Sequence, residues 1–381
     1  MGRTNETERA RLHETFAALC RIRSPSGRER ACADWVTAEL ETMGLMVTED
    51  SSAQAAGSEA GNLLARIPGG APGSLLICAH LDTVPPVAPI EPVLSGGYWE
   101  NANQGILGAD NKSAVAVALE LARRFSDGDE PPIGLEFLFT VCEEVSLRGS
   151  RAFDVAALES SFGYVFDHAT PIGEIVAASP THYRIVAEFR GRAAHAGVRP
   201  EVGRSAVLAA ARGIANLRLG RIDEATTANV GLIDGGTAIN VVPERCRVEA
   251  EVRSLDEARA TALATETVDH LQDAADATEC DLDLTVERMF QGYRTKPKAV
   301  ETVVAERALR ACGFAPRPIN SGGASDANSF RTAGFACTCL ADGTERNHEP
   351  GERISAQNLE TLLELAIALV DEAAAEIGAA G

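Results

Sequence analysis

Residues 74–83, SLLICAHLDT, decide how this chain is read. An unbroken apolar run ends in His80, and Asp82 follows two positions later. The run is bounded by IPGGAPG before it and VPPVAP after it, which predicts a buried strand of an α/β sheet. Side chains alternate along a strand, so His80 and Asp82 project to the same side. Ligands bind at the strand ends of α/β sheets. The pair suits metal chemistry, in which a histidine binds through one ring nitrogen and a nearby carboxylate fixes its tautomer. Taken alone, it is equally compatible with a capped strand end, so the rest of the chain has to decide.

Working outward, residues 134–141 (GLEFLFTV) form a second buried strand that runs into Glu143 and Glu144. Residues 163–166 form a third, ending in Asp167 and His168. Asp110 stands in GILGADNKSAVAVALELARRF, where a helix is predicted from about residue 113 to 125. Three apolar strands that end in acids or histidines, with an acid at a helix start, imply one cleft at one edge of a sheet. Helices are predicted over 4–21 and 27–43, with Gly44 as the stop of the second. Short strands are predicted over 45–48 and 62–67, and residues 84–103 read as a Pro/Gly-rich loop holding Tyr98 and Trp99.

Around Ala178 the pattern changes. Strands over 181–190, 226–233, 245–255 and 281–287 alternate with helices over 205–219 and 256–277, the second capped by Asp256. The order is β-α-β-β-α-β, a ferredoxin-like arrangement. After Gly292 the α/β character returns, with a helix over 297–312, the segment SGGASDANSF, a strand over 336–340, the loop TERNHEPGER holding His348, and a helix over 356–375. The expected architecture is α/β: residues 1–178 and 291–381 build one domain, and residues 179–290 form an insertion.

Composition narrows the function. The 381 residues carry a formal net charge of −20, which argues against nucleic acid and anionic membranes as partners. Lys112, Lys296 and Lys298 are the only lysines, and arginine supplies the remaining positive charge. There is no apolar run long enough to span a bilayer, and the charged N-terminus lacks the apolar core of a signal peptide. Nine irregularly placed cysteines read as reduced thiols, Cys337 and Cys339 being structural. A cytoplasmic location is expected.

His80, Asp82, Asp110, Glu143, Glu144, Asp167 and His348 together offer what a two-metal hydrolase needs: carboxylate and histidine ligands, and a spare carboxylate as base. Such ligands suit zinc, manganese or cobalt. Here the sequence resembles the aminoacylase, carboxypeptidase G and peptidase T family of dinuclear zinc exopeptidases, above all its peptidase T-like branch. The resemblance rests on CAHLDTVPP, GILGADNKSA, FTVCEEVSLRGSRAF, GYVFDHATPIGEIV, RGRAAHAGVRPEVGRSA, GRIDEATTANVG, INVVPE, EVRSLD, SGGASDAN and the His348 loop, in the family's order over nearly the whole chain.

The resemblance implies a mixed-sheet catalytic domain with an inserted ferredoxin-like lid and dimerisation domain. It implies two divalent metal ions per chain: Asp110 bridges them, Glu144 and His348 complete one, and His80 and Asp167 complete the other. Asp82 orients His80. Glu143 takes a proton from the metal-bound water and passes it to the leaving amine. His195, in AAHAG, reaches a substrate carbonyl in the other subunit of a homodimer. Asn240 and Arg253 contact substrate, Arg253 by clamping a free carboxylate. Gly322, Gly323 and Ser325 let the backbone approach it. The implied activity is hydrolysis of an amide bond in a di- or tripeptide. Deacylation of an N-acyl amino acid, carboxypeptidase action, and a catalytically silent binding protein on the same fold remain alternatives. One departure stands out: the branch commonly reads ADDK where this chain reads ADNK, so Asn111 removes a negative charge beside Asp110.

Overall fold

In the computed structural model, which describes residues 3–128 and 130–380, the strand predicted around His80 spans Ala71–His80. Ile133–Thr140 and Phe162–His168 run parallel to it on either side, and Ala336–Ala341 runs parallel to Phe162–His168. Antiparallel strands extend the sheet: Leu63–Ile67 and then Val47–Glu49 beyond Ile133–Thr140, and Glu174–Ser179 beside Ala336–Ala341. The sheet is mixed, as the family resemblance implies.

The register places the chemistry. His80 lies opposite Thr140, Cys78 opposite Val165, and Leu340 opposite Phe166. Parallel strands need long crossovers, and the helix Ala109–Asp127 makes the one between Ala71–His80 and Ile133–Thr140. The parallel strands therefore all end at one edge. Asp167 and His168 lie inside their strand rather than just past it.

Alternating strand residues such as Leu75, Ile77, Phe137, Phe139, Tyr164 and Phe166 share one core with Val115, Leu119, Leu363 and Ala366 of the covering helices. Each large apolar side chain so buried contributes about 1.5–3 kcal/mol. No helix among the described residues is long and apolar enough to cross a membrane.

The segment expected as a loop over 84–103 instead contains the strands Pro92–Ser95 and Tyr98–Asn101. Gly96 and Gly97 join them, both with positive φ (57° and 84°), the backbone that a two-residue hairpin turn requires. Proline and glycine content masked two strands too short to show a period. Tyr98 and Trp99 pair there with Arg353–Ser355 in a small four-stranded sheet that also holds Thr344–Glu345.

The chain divides into two compact units. One takes the chain up to Ala177, then Arg294–Ser321, then the chain from Ser325 onward; the other takes Ala178–Tyr293 together with Gly322–Ala324. The second unit has an antiparallel sheet in the order Gly220–Asp223, Thr226–Gly235, Arg245–Ser254, Thr181–Arg190, Asp281–Phe290. Its four long strands stand second, third, first, fourth, the ferredoxin-like order; Gly220–Asp223 is an extra edge strand too short to read from the sequence. The helices Ala206–Asn216 and Glu257–Asp276 cover it, capped by Ser205 and Asp256. Ile185, Phe189, Val248, Val252, Leu263 and Leu271 build a separate core.

Gly163 tests the tight pairing at the centre of the first sheet. A methyl group there would sit 2.5 Å from Leu76 Cβ and 2.9 Å from Leu76 O. Gly163→Ala should lower stability by about 1–3 kcal/mol, the usual cost of overpacking. Equilibrium denaturation of the two proteins checks this.

Candidate metal centre

His80 ends the central strand and is buried. Its Nδ1 lies 2.9 Å from the Asp82 carbonyl oxygen and 3.4 Å from Asp82 Oδ1. Its Nε2 lies 3.1 Å from Asp110 Oδ1 and 3.6 Å from Asp167 Oδ1. Asp82 does more than face the imidazole. Its carboxylate accepts from Ser26 Oγ (2.7 Å), from the Glu143 N–H (2.9 Å) and from the Glu144 N–H (3.2 Å). The turn carrying both glutamates is thereby tied to the strand carrying His80. That turn holds Cys142, Ser146 and Leu147 at φ of 53°, 77° and 60°. Such non-glycine conformations cost about 1–3 kcal/mol each and persist only where the surroundings enforce them. Glu29 helps, accepting the Cys142 N–H at 3.1 Å.

Asp110 stands where the helix Ala109–Asp127 starts irregularly. Asp110 and Asn111 have non-helical backbone angles, so the regular helix begins at Lys112. Asp110 Oδ2 accepts from Asn347 Nδ2 at 2.9 Å and lies 3.3 Å from His348 Nε2. The same His348 nitrogen lies 2.9 Å from Glu144 Oε2. Potential ligand atoms of His80, Asp110 and Glu144 all lie within 4.8 Å of one another, and so do those of His80, Glu143 and Asp167. His80, Asp110, Glu143, Glu144, Asp167 and His348 therefore come together in space.

The electrostatics fit a cation. Burial pushes the Glu143 carboxyl well above the usual carboxylate range, and Asp167 adds to the effect. Burial raises Asp167 in the same way, with Asp110 beside it. Burial also acts on Asp110, but hydrogen bonds from His348 and His80 outweigh it and hold that carboxyl well below the usual range. Burial disfavours a charged His80, yet hydrogen bonds to Asp110, Asp167 and Asp82 keep its pKa well above the ordinary value. Hydrogen bonds to Asp110 and Glu144 raise His348 to about 10. Glu144 Oε1 is buried and has no hydrogen-bond partner among the described residues. A crowd of buried carboxylate and imidazole donors with an orphaned oxygen fits zinc, manganese or cobalt.

Asn111 donates from Nδ2 to the Phe166 carbonyl (2.6 Å) and to Asp167 Oδ1 (3.3 Å). An ionised acid at this position would face two acceptors, which gives a physical reason for the amide. Sequence reasoning missed Ser26, Asn347 and Glu352, all of which touch the centre. Asn347 and Glu352 flank His348 in NHEPGE, the one signal that pointed to them.

The remaining candidates belong to the second unit, except Ser325, which belongs to the first. His195 is exposed, and its Nδ1 accepts the Gly197 N–H at 3.2 Å. The neutral ring then carries its proton on Nε2. Asn240 adjoins it: the Ala196 N–H donates to the Asn240 carbonyl at 2.9 Å, and His195 bridges to Val241. Arg253 is engaged within its own unit. Its Nε and Nη2 donate to Glu251, at 3.3 and 3.0 Å, and Nη1 donates to the Gly322 carbonyl at 3.2 Å. The Gly323 carbonyl accepts from Ser179 Oγ at 2.8 Å. A Cβ on Gly322 would meet open space, so the fold itself does not demand glycine there. Ser325 is buried and opens the helix Asp326–Thr332.

Comparison with known proteins follows this geometry. Residues 182–279 match the family model of a peptidase dimerisation domain, and residues 62–167 match peptidase family M28. The aminopeptidase PepT of Bacillus cereus is 34% identical, with a TM-score of 0.85 over 96% of this chain and 98% of that one. A tripeptidase of Staphylococcus aureus is 31% identical, with a TM-score of 0.90 over the same shares, 96% and 98%. The Bacillus subtilis protein YqjE is 32% identical over 365 residues, 96% of this chain and 98% of its own length.

Glu251 gives a pH test of the Arg253 environment. His182 first, and then Arg253, hold its carboxyl at about 2, below the ordinary 4.5. A depressed carboxylate stabilises the fold fully above its unfolded pKa, and that contribution is lost as pH falls through the folded one. The stability advantage of the native chain over Glu251→Gln should therefore shrink between pH 4.5 and about 2. Urea unfolding midpoints of the two proteins across this range measure it.

Proposed function

Because the chain belongs to the peptidase T-like branch of the aminoacylase, carboxypeptidase G and peptidase T family of zinc exopeptidases, we propose that it removes residues from di- or tripeptides as a metal-dependent aminopeptidase. The observation that carries this reading is the convergence of His80, Asp110, Glu143, Glu144 and Asp167 at one sheet edge, with His348 bonded to two of them.

In this reading Asp110 would be shared by two divalent ions, one of which Glu144 and His348 would hold and the other His80 and Asp167. Zinc is the first choice, with manganese or cobalt as substitutes. Bound ions of this kind polarise a scissile carbonyl and make water a better nucleophile. Glu143 accepts the proton of the attacking water and gives it to the leaving amine. Asp82 holds the His80 ring and the glutamate turn in mutual register. Nε2–H of His195 is the donor aimed at charge developing on the substrate oxygen. The unit around residues 179–290 acts as lid and dimerisation domain, and His195 serves the partner subunit. Asn240, Arg253, Gly322, Gly323 and Ser325 line the substrate. Pairing of Arg253 with Glu251 leaves fewer donors for a free carboxylate and favours the aminopeptidase reading over the carboxypeptidase one. Free cysteines throughout support a reducing, cytoplasmic setting.

The test is hydrolysis of a panel of di- and tripeptides, their blocked-amine and C-terminal amide forms, and N-acyl amino acids, with zinc, manganese and cobalt each supplied. Cleavage requiring a free amine, abolished by chelator and restored by metal, is expected. Cleavage of only the acylated substrates would replace this reading with deacylation. Glu143→Gln should slow turnover by about 10²–10⁴-fold while elemental analysis still finds the metal of the native protein; Glu144→Gln should lose metal.

A mixed dimer tests His195. Glu143→Ala and His195→Ala subunits, each inactive alone, should regain roughly a quarter of native activity after exchange, since half the dimers are mixed and each then has one complete site. No recovery after proven exchange would place His195 in its own subunit's site or outside the reaction.

A further inference from the structure

Asp110 has an orphan to satisfy. Its backbone is non-helical, so its N–H lies at a helix start without an intrahelical acceptor, as do those of the residues before it. The preceding residue but one, Gly108, caps the helix in the left-handed conformation at φ 79°, and no side chain of the cap itself helps. A left-handed residue at this point lets neighbouring N–H groups turn toward one acceptor, as in an anion nest. Glu352 fills it. Oε2 accepts from the Leu107 N–H at 2.9 Å and from the Gly108 N–H at 2.8 Å, and Oε1 accepts from the Asp110 N–H at 2.9 Å. The side chain is buried, 1% exposed.

Placing another carboxylate beside an already anionic centre is unfavourable, and three backbone N–H donors and the positive end of a helix oppose that cost. The same loop reaches Asp110 again through Asn347 Nδ2 and His348 Nε2. We propose that Glu352 is the positioning residue that locks Asp110 against the His348 loop, so that these two ligands, carried by distant parts of the chain, are presented to metal in one fixed geometry. The proposal rests on the reading of Asp110 and His348 as metal ligands.

Glu352→Gln tests it with little change of shape. If the amide oxygen keeps the Leu107 and Gly108 bonds, the amide NH₂ faces the Asp110 N–H, donor against donor; the flipped amide loses the other two. The probe is cobalt(II) alone, titrated into metal-free protein in a chelator-buffered series, with Asp110→Asn measured in parallel. Glu352→Gln should bind cobalt about 10- to 100-fold more weakly, the usual effect of removing a group that orients a ligand, and reach the native stoichiometry at saturation. A lowered melting temperature of the metal-free protein with cobalt affinity within twofold of native would overturn the proposal and leave Glu352 a structural residue only. Native affinity in Asp110→Asn would instead show that Asp110 is no ligand. Should Glu352→Gln not unfold cooperatively, hydrogen exchange in the native protein decides: the Asp110 amide should exchange slowly, and rapid exchange overturns the proposal.

Discussion

Asp110, Glu143, Glu144 and Asp167 crowd around buried His80 at one edge, with the half-exposed His348 against two of them, and removing that much charge from water costs several kcal/mol per ion unless it is matched. Everything around the edge follows from the need to match it. Parallel strands bring the acids to one place because each crossover returns the chain in the same direction. The two histidines stand between acids, each bonded to more than one, and their pKa values rise accordingly. What remains unmatched is oxygen facing a common space, the donor pattern of a divalent cation site.

The acids of this region divide by what satisfies them. Asp82, Glu352 and Glu29 point their oxygens at backbone N–H groups and fix loops: Asp82 the Glu143–Glu144 turn, Glu352 the approach to Asp110, and Glu29 the Cys142 amide. Glu144 keeps an oxygen without a partner among the described residues, and Asp110 and Glu144 meet histidine instead. Backbone-bound acids are thus the frame on which the others are held. A frame built from hydrogen bonds to main-chain groups is stiffer than one of long side chains alone, and a site that must hold ligands within a fraction of an ångström depends on that stiffness.

The second unit is organised differently. Its candidate residues lie on a strand and on loops that meet within the unit: Arg253 reaches the Gly322 carbonyl, and the His195 loop bonds the Asn240 carbonyl. Gly322–Ala324, far along the chain, packs with this unit rather than with the segments on either side of it. Arg253 is already spent on Glu251, so its chemistry toward a ligand is set by that neighbour as much as by its own charge.

Local pattern determined a large part of this protein. Apolar runs ending in His80, Glu143 and Asp167 specify buried strands and the chemistry at their ends, because strand periodicity and burial are properties of a few consecutive residues. The alternating strands and capped helices after Ala178 specify the ferredoxin-like unit for the same reason. The hairpin around Gly96–Gly97 escaped because its strands are too short for a period to show. Only the tertiary structure decided which acid faces the common space and which faces the backbone. Asp82 reads in the sequence only as the carboxylate that orients His80, and Glu352 does not stand out there at all; their framing roles come from N–H groups 61 and 242 residues away. A hydrogen bond depends on distance and direction in space, and sequence spacing carries neither across such separations.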